Sequence, residues 1–257
     1  MLGSLGSSGN WNWAAHGKHQ AAGDYFRLGG DLPVLNAFAA WVRQGFQAVT
    51  AKGVPSPGYR SWRFWARGST RGGLVSGLVR DSSDSHGRPF PFLIVGAGPL
   101  SRWEEVWDLV PFACEGGWNQ MERLATKGFE TVRDLEAELR KIRTPAAEWS
   151  AFRAEQDELA GCLVSAAAAA PGAVLEQFKR RAAQLARETE VHVSLDEGTA
   201  PDQFTLASLW LSLIRETGGG EAPHVVFMGG NQEASFLLLF RRALISTDFG
   251  QLWTAPG

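Results

Sequence analysis

The chain has 257 residues, with 25 Lys and Arg against 27 Asp and Glu, so its formal net charge at pH 7 is −2. This balance argues against a protein that mainly coats nucleic acid or an anionic membrane, because either role needs an excess of cations. Hydrophobic residues make up 44% and charged residues 20% of the chain, a globular composition that excludes wholesale disorder.

Two residue types indicate the character of the interior. The chain contains 11 Trp, and since a large indole ring stabilises most when it is buried, we expect a Trp-rich core or an aromatic contact surface. Cys114 and Cys162 are too few and too far apart for a disulfide framework or a zinc site. We expect both to be buried thiols in a reducing compartment.

Neither a secretory signal nor a membrane span is predicted. The first ten residues lack a basic segment and a long apolar stretch. No later window approaches the roughly 20 apolar residues that a spanning helix needs. The sequence therefore predicts a cytoplasmic protein without direct membrane insertion.

The amino-terminal part is predicted to contain one long helix. Residues 1–22 are rich in Gly, Ser, Asn and His, so we expect a tail or an opening loop there, with residues 1–13 flexible. Pro33 stands where a first helical turn tolerates proline. Apolar residues then follow at steps of three and four, as in an amphipathic helix: Leu35, Phe38, Val42, Phe46 and Val49. Residues 52–58, with two prolines and two glycines, end this helix.

Three strand-like segments come next, at residues 59–67, 73–80 and 90–96. Their connections, residues 68–72 and 81–89, are too short for a crossover helix. We therefore expect the three segments to form an antiparallel meander.

Residues 101–189 change to a helical character. Thr131 and Asp134 form a capping-box pattern that opens a helix to about Ile142, and a second helix is predicted over 146–170. A third helix has an apolar face and a basic face, made respectively of Val174, Leu175, Phe178, Ala182 and Leu185 and of Lys179, Arg180, Arg181 and Arg187. We interpret the basic face as solvated helix surface and predict no nucleic-acid partner.

The carboxyl-terminal part returns to strands, predicted at residues 191–195, 204–213 and 224–228. A helix over 233–243 and a short turn at Asp248-Phe249 close the chain.

This order of elements predicts an α+β fold. We expect a mainly antiparallel sheet built from the amino- and carboxyl-terminal segments, with helices packed on it and a helical middle section. No internal repeat or long linker divides the chain, so a single domain over residues 1–257 is predicted.

Familiar catalytic and cofactor motifs do not occur in the sequence. It lacks Gly-x-x-x-x-Gly-Lys-Ser/Thr, a Gly-x-Gly-x-x-Gly between a strand and a helix, Gly-x-Ser-x-Gly and His-Glu-x-x-His. We therefore predict no catalytic residues, no metal site and no cofactor.

A first polar cluster spans residues 16–27 and contains Gly17, Lys18, Gly23, Asp24, Tyr25 and Arg27. The glycines permit a sharp turn or the close approach of another backbone, and a cation and a carboxylate lie among apolar neighbours. The cluster is either a loop that contacts a ligand or a protein, or a structural turn in which the Asp caps backbone N–H groups.

A second polar cluster lies between two predicted strands and contains Ser82, Asp84, His86, Gly87 and Arg88. These residue types suggest a nucleophile, a base and an anion binder, but the members of a catalytic triad normally come from distant positions. A loop held by Asp84, which accepts backbone N–H bonds, and by pairing of Arg88 with a carboxylate explains the same residues. We predict that both clusters form a partner-binding surface or a structural motif.

The spacing of the two clusters resembles the TagF (ImpM) family of type VI secretion-associated proteins, from about residue 14 to 253. The resemblance is carried by Gly17-Lys18-x4-Gly23-Asp24-Tyr25, Ser82-x-Asp84-x-x-Gly87-Arg88-x-Phe90-Pro91, Ser208-Leu209-Trp210 and Asp248-Phe249-x-x-Leu252. The second of these elements is the specific one. The chain departs from the family pattern at His19-Gln20, Phe38, Leu209 and Met228-Gly229-Gly230.

The resemblance implies a cytoplasmic accessory protein of the type VI secretion system. Family members act after translation to restrain the assembly or firing of the apparatus, together with a forkhead-associated scaffold protein and a Ser/Thr kinase and phosphatase pair. They are not established enzymes. We therefore expect a repressor that acts by protein–protein binding, with the forkhead-associated scaffold as its partner.

Two alternatives stay open at this point. A hydrolase of a phosphate or acyl ester would use Ser82 or Ser83 with His86 and Arg88. A phosphopeptide-binding module would use Lys18, Arg27 and Arg88 as an anion clamp.

Overall fold

An eight-stranded antiparallel sheet runs through the computed structural model, which describes residues 10–53, 59–166, 171–196, 202–218 and 220–254. The strands, in chain order, are β1 Asn12–Gly17, β2 Phe26–Leu28, β3 Ser61–Arg67, β4 Gly73–Arg80, β5 Phe92–Pro99, β6 Glu190–Ser194, β7 Val225–Gly230 and β8 Ser235–Phe240. Their spatial order is β2-β1-β5-β4-β3-β7-β8-β6. The pairing of β3 with β7, with Phe64 opposite Phe227, joins the two ends of the chain into one sheet. The predicted α+β fold is confirmed.

Helices cover both faces of this sheet. Their bounds are α1 Pro33–Ala51, α2 Val110–Thr126, α3 Val132–Leu139, α4 Trp149–Ala166, α5 Pro171–Leu185, α6 Gln203–Thr217 and α7 Asp248–Thr254. Helices α1 and α7 pack on one face, around Trp62 and Phe64 of β3. The helices of the middle section and α6 pack on the other face, around Trp65. Because side chains alternate along a strand, neighbouring β3 residues serve the two cores.

The expected Trp-rich core is confirmed. Eight of the 11 tryptophans, all of which lie in the described part of the chain, are buried: Trp41, Trp62, Trp65, Trp103, Trp107, Trp118, Trp210 and Trp253. Trp62 donates its indole N–H to the carbonyl of Leu252 at 3.1 Å, and Trp41 donates to that of Ile245 at 2.8 Å. These bonds attach the end of the chain to α1 and β3.

The prediction of a tail or loop over residues 1–22 is wrong in part, because residues 12–17 form β1. This strand pairs with β5, where Trp13 lies opposite Gly96. A Cβ at Gly96 would come within 2.1 Å of the Trp13 ring, so the glycine provides the space for the indole. Residues 1–9, within the segment predicted to be flexible, lie outside the described residues.

The predicted strand over 204–213 is wrong, because this segment belongs to α6. The Asp202 carboxylate caps the helix by accepting the N–H of Thr205 at 2.8 Å. Leu206, Trp210 and Leu213 follow at helical steps and are buried. The nearly continuous apolar run hides this period, because a buried strand and a buried helix look alike over such a length.

The helix predicted over 233–243 is also wrong, because residues 235–240 form β8. All six residues of β8 are buried, since the strand lies between β7 and β6 with both faces covered. A strand buried on both faces shows no alternation of polar and apolar residues. The turn predicted at Asp248-Phe249 is instead the start of the short helix α7.

The other predicted elements are confirmed within a few residues. They are the helix after Pro33, the meander of β3, β4 and β5, the capping box of Thr131 and Asp134, and the strands β6 and β7. The helix predicted over 146–170 corresponds to α4, of which residues 167–170 lie outside the described residues. The third predicted helix of the middle section corresponds to α5, which begins at Pro171. Residues 54–58 of the predicted helix-ending segment are likewise not described.

Cys114 is buried, as predicted, and burial raises the pKa of its thiol to about 12. The side chain of Cys162 lies outside the described residues. Within the described ranges, no helix has the length and apolar character required to span a membrane.

Candidate functional site

Both polar clusters meet at one end of the sheet. Strand β1 ends at Gly17, and its antiparallel pairing with β5 brings the next residue, Lys18, to the loop between β4 and β5. Gly17 has a φ of +129°, and a Cβ there would lie 2.1 Å from the carbonyl oxygen of Pro91. Only glycine permits this close approach of the two backbones.

Asp84 lies at the centre of the site, with its side chain fully buried. One carboxylate oxygen accepts the backbone N–H groups of His86 and Arg88, each at 3.0 Å. The other oxygen lies 3.0 Å from Lys18 Nζ and accepts Arg88 Nε at 2.7 Å. Two cations and two backbone donors therefore share one carboxylate, which satisfies its charge inside the protein.

Burial alone would raise the pKa of the Asp84 carboxyl, but the hydrogen bonds from Arg88, Lys18 and His86 outweigh it. Together they hold this pKa well below its usual range, so the carboxylate stays charged at neutral pH. Lys18 is also buried, with its side chain 6% exposed. The pair is therefore an internal support of the loop.

Gly87 completes the turn. Its φ of +76° is a left-handed conformation, and its N–H donates to the carbonyl of Asp84 at 2.9 Å. The turn returns the chain so that Phe90 N–H donates to the carbonyl of Ser82 at 3.0 Å. The loop is thus closed on itself by backbone bonds as well as by Asp84.

Arg88 connects the two clusters. Its Nη2 donates to the carbonyl of Gly23 at 2.5 Å and lies 3.7 Å from the Asp24 carboxylate. A backbone bond of 2.9 Å from Ser85 N–H to the carbonyl of Ala22 runs beside it. These contacts hold the Gly23–Tyr25 segment against the loop.

An aromatic group covers the buried ion pair. The ring of Tyr25 lies 4.7 Å from Lys18 Nζ and meets Phe90 edge-on at 4.8 Å. His16 stacks beside Tyr25, and burial lowers its pKa, so this imidazole is neutral at pH 7. Tyr25 is nevertheless 53% exposed. It presents one face to the protein and the other to solvent.

The structure does not bring every candidate residue to this point. Arg27 donates to Asn36 at 2.6 Å and to Asp31 at 3.2 Å, instead of joining Lys18 and Arg88. The anion clamp of three cations is therefore not assembled, because two of them already bind Asp84 and the third is paired elsewhere.

The residues of the hydrolase hypothesis are likewise divided. His86 contacts the hydroxyl of the exposed Ser85 at 3.5 Å, and Arg88 is held by Asp84. Ser82 and Ser83 line a groove, and neither His86 nor Arg88 belongs to its lining. The serines, His86 and Arg88 of the hydrolase hypothesis therefore do not line the same groove.

The groove lined by Ser82 and Ser83 was not predicted from the sequence. It has a volume of about 580 Å³ and is lined by His19, Gln20, Tyr59, Arg80, Asp81, Ser82, Ser83, Gly87, Pro89, Ala125, Thr126 and Lys127. Its floor contains Arg80, the last residue of β4. Leu74, Ser76 and Leu78 share one face of β4, and the same period places Arg80 on that inner face. This placement of a charged residue on an inner face is the sequence signal that could have indicated the groove.

Comparison with known proteins shows a family match for the part of the chain that contains this site. Residues 14–144, which include both clusters and Arg80, match the family model described as "TagF N-terminal domain, Type VI secretion system-associated". Among solved structures, the chain is similar to PA0076 from Pseudomonas aeruginosa PAO1, with a TM-score of 0.54 and 18% identity over 95% of each chain. At this identity the similarity concerns the fold. A comparison with curated proteins gave no match.

Proposed function

The chain belongs to the TagF family of type VI secretion-associated proteins, and on this premise we propose that it is a cytoplasmic repressor that restrains assembly or firing of the secretion apparatus by binding another protein. The proposed contact surface, called here the Tyr25 surface, consists of Asp24, Tyr25 and Arg88. The proposed partner is the forkhead-associated scaffold protein of the apparatus.

One observation carries this proposal: exposed recognition groups stand on a rigid, buried base. Asp24 and Arg88 have side chains 66% and 52% exposed, and Tyr25 is similarly accessible. Beneath them, Lys18 and Asp84 form an ion pair closed off from solvent. Since tyrosine and arginine dominate the binding energy of many interfaces, and since a fixed surface loses little conformational entropy on binding, this arrangement suits protein docking.

A binding role also accounts for the charges of the Tyr25 surface. Asp24 and Arg88 carry opposite charges and lie close together. A partner with one cation and one anion at matching positions can therefore pair with both residues, and neither protein needs a large net charge. The near-neutral composition of the chain is compatible with such local matching. We further propose that the loop acts without catalysis, which the separation of His86 from the groove serines supports.

The test is a calorimetric titration of the purified protein with the forkhead-associated scaffold of its own secretion system. Tyr25→Ala should weaken binding at least about 10-fold, as expected for a central interface residue. Asp24→Lys should have a similar effect, because it places two cations side by side on the Tyr25 surface. In cells, both variants should release secretion from restraint.

Arg140→Ala is the matched control. Arg140 directly follows α3, and its side chain is 73% exposed and pairs with Glu136 at 2.7 Å. The variant therefore removes a surface cation that lies away from the Tyr25 surface. Thermal melting of each variant separates loss of docking from loss of fold. Wild-type protein that fails to bind the scaffold, or Tyr25 and Asp24 variants that bind and repress normally, would contradict the proposal.

A further inference from the structure

The groove beside the loop holds a charge whose hydrogen bonds are incomplete. Arg80 is only 7% exposed, and its Nη1 has no hydrogen-bond partner in the part of the chain that the structure describes. Its Nε makes one long contact of 3.4 Å with the carbonyl of Asp81. Arginine keeps its proton at any physiological pH, and a buried charged group with an unsatisfied hydrogen-bond donor is costly. The site is therefore incomplete as it stands.

A second unsatisfied group lies directly opposite. Ser61 pairs with Arg80 across β3 and β4, and its hydroxyl is also buried without a hydrogen-bond partner among the described residues. The carboxylate of Asp81, the residue next to Arg80 in the chain, is engaged by Arg60 at 3.4 Å. Native proteins leave few buried polar groups unpaired. Ser61 lines a neighbouring groove, whereas Arg80 lines the groove beside the loop, so the unpaired Nη1 of Arg80 points to a ligand there.

The walls of the groove supply further groups for an anion. Lys127, at the end of α2, lines it from one side, and the hydroxyl-bearing Ser82 and Ser83 line it from the loop. The ring of Tyr59 lies 4.8 Å from the Arg80 guanidinium and is 47% exposed. Cationic and hydroxyl donors thus surround the space from several directions, and an aromatic ring stands at its rim.

We propose that this groove binds a phosphate ester, with the phosphate on Arg80 and the organic part against Tyr59. Donors from the sheet, the loop and α2 suit a tetrahedral anion with three free oxygens better than a planar carboxylate with two. The volume of about 580 Å³ falls in the range of small-molecule sites. The ligand site is separate from the Tyr25 surface and does not depend on the proposed function.

The organic part is needed because the groove also contains features that oppose an anion. The Asp81 carboxylate lies on the wall, and the carbonyl end of α2 points its partial negative charge towards the same region. Inorganic phosphate alone should therefore bind weakly. A ring attached to the phosphate adds contact with Tyr59 and should strengthen binding.

The experiment is a titration of the isotope-labelled full chain with inorganic phosphate, phenyl phosphate and benzoate, followed by amide chemical shifts. Phenyl phosphate should bind in the micromolar to low millimolar range, more tightly than the other two, with the largest shifts at Ser82, Ser83 and Lys127. Equal or tighter binding of inorganic phosphate would contradict the role of Tyr59 and of the organic part. Tighter binding of benzoate, or no binding of either phosphate up to about 20 mM, would overturn the proposal.

Variants tie the binding to Arg80. Arg80→Met keeps an unbranched apolar stem but removes the guanidinium and its charge, and it should weaken phenyl phosphate binding at least about 10-fold. Arg63→Met is the matched control, since Arg63 lies on the neighbouring strand and is already paired with Glu122 at 2.8 Å. If Arg80→Met does not fold, Asp81→Asn decides the question: loss of this carboxylate should tighten binding several-fold, and unchanged affinity would refute the site.

Discussion

Asp81 offers a quantitative test of the electrostatics at this end of the sheet. Its carboxyl stands at the start of the loop, with the side chain 20% exposed and Arg60 at 3.4 Å. Burial raises its pKa from 3.8 to about 6, against the opposing influence of Arg60 and Arg80. At neutral pH the charged form of Asp81 is therefore less favourable in the folded protein than in the unfolded chain, where water solvates it.

The perturbation is Asp81→Asn, which mimics the protonated acid at every pH. A pKa raised from 3.8 to about 6 corresponds to about 3 kcal/mol against the charged form, and solvent screening of the partly exposed group reduces this to about 2 kcal/mol. At pH 7.5 the wild-type carboxyl is charged both folded and unfolded, so folding bears this cost in full. The variant should thus be more stable by about 2 kcal/mol, or about 4–8 °C in Tm.

The sign of the pH dependence follows from the raised pKa. Between about pH 6 and 4 the folded state binds the proton more tightly than the unfolded state, so the contribution of Asp81 to stability increases as the pH falls. Below about pH 4 both states are protonated and the advantage of the variant should disappear. The low pKa of Asp84 acts in the opposite direction, but it is shared by both proteins and cancels in the difference.

The assay is chemical denaturation of wild type and Asp81→Asn at pH 7.5, 5.5 and 4, with Asp31→Asn as the control. Asp31 is 86% exposed and should give no difference at any pH. A variant that is less stable at pH 7.5, or a difference that does not shrink towards pH 4, would refute the reasoning. The first result would mean that the ion pair with Arg60 outweighs the cost of burying the carboxylate, and the second would mean that the difference in stability does not come from the charge of Asp81.

Two further substitutions test the packing that positions the site. Gly17→Ala puts a Cβ on a residue with a positive φ and close to the carbonyl oxygen of Pro91, so it should lower the free energy of unfolding by at least about 2 kcal/mol. Urea denaturation measures this loss, and the control is Gly128→Ala, where the added Cβ meets open space. Asp108→Ala leaves the two arginines that hold this buried carboxylate without an anion and should destabilise by about 3 kcal/mol in the same assay. The exposed Asp157→Ala should change little, and a similar loss in both Asp variants would count against a special role for the buried one.

Much of the fold could be predicted because its signals are local. The helix after Pro33 has a proline at its start and an apolar stripe, and the alternation in residues 61–67 is typical of a strand. The capping box of Thr131 and Asp134 is formed by residues three apart, so it can be recognised from the sequence.

The errors fall where burial is decided by distant parts of the chain. Residues 12–17 are a strand because they pair with β5, where Gly96 makes room for the Trp13 ring. Residues 235–240 are a strand because other strands flank them on both sides. Residues 203–217 are helical, although their nearly unbroken apolar run is compatible with either structure. In each case the apolar composition predicts that the segment is buried, but it does not predict whether the segment is a strand or a helix.

The candidate site shows the same division. The sequence by itself predicted that Asp84 would accept backbone N–H bonds and that Arg88 would pair with a carboxylate, because these residues lie within one short loop. The structure shows that Asp84 is also the carboxylate that binds Arg88. Only the tertiary structure decided that Lys18 joins them, that Arg27 turns away and that Arg80 lies under a groove. These contacts depend on which strands become neighbours, and strand order is set by the packing of the whole sheet between its two layers of helices.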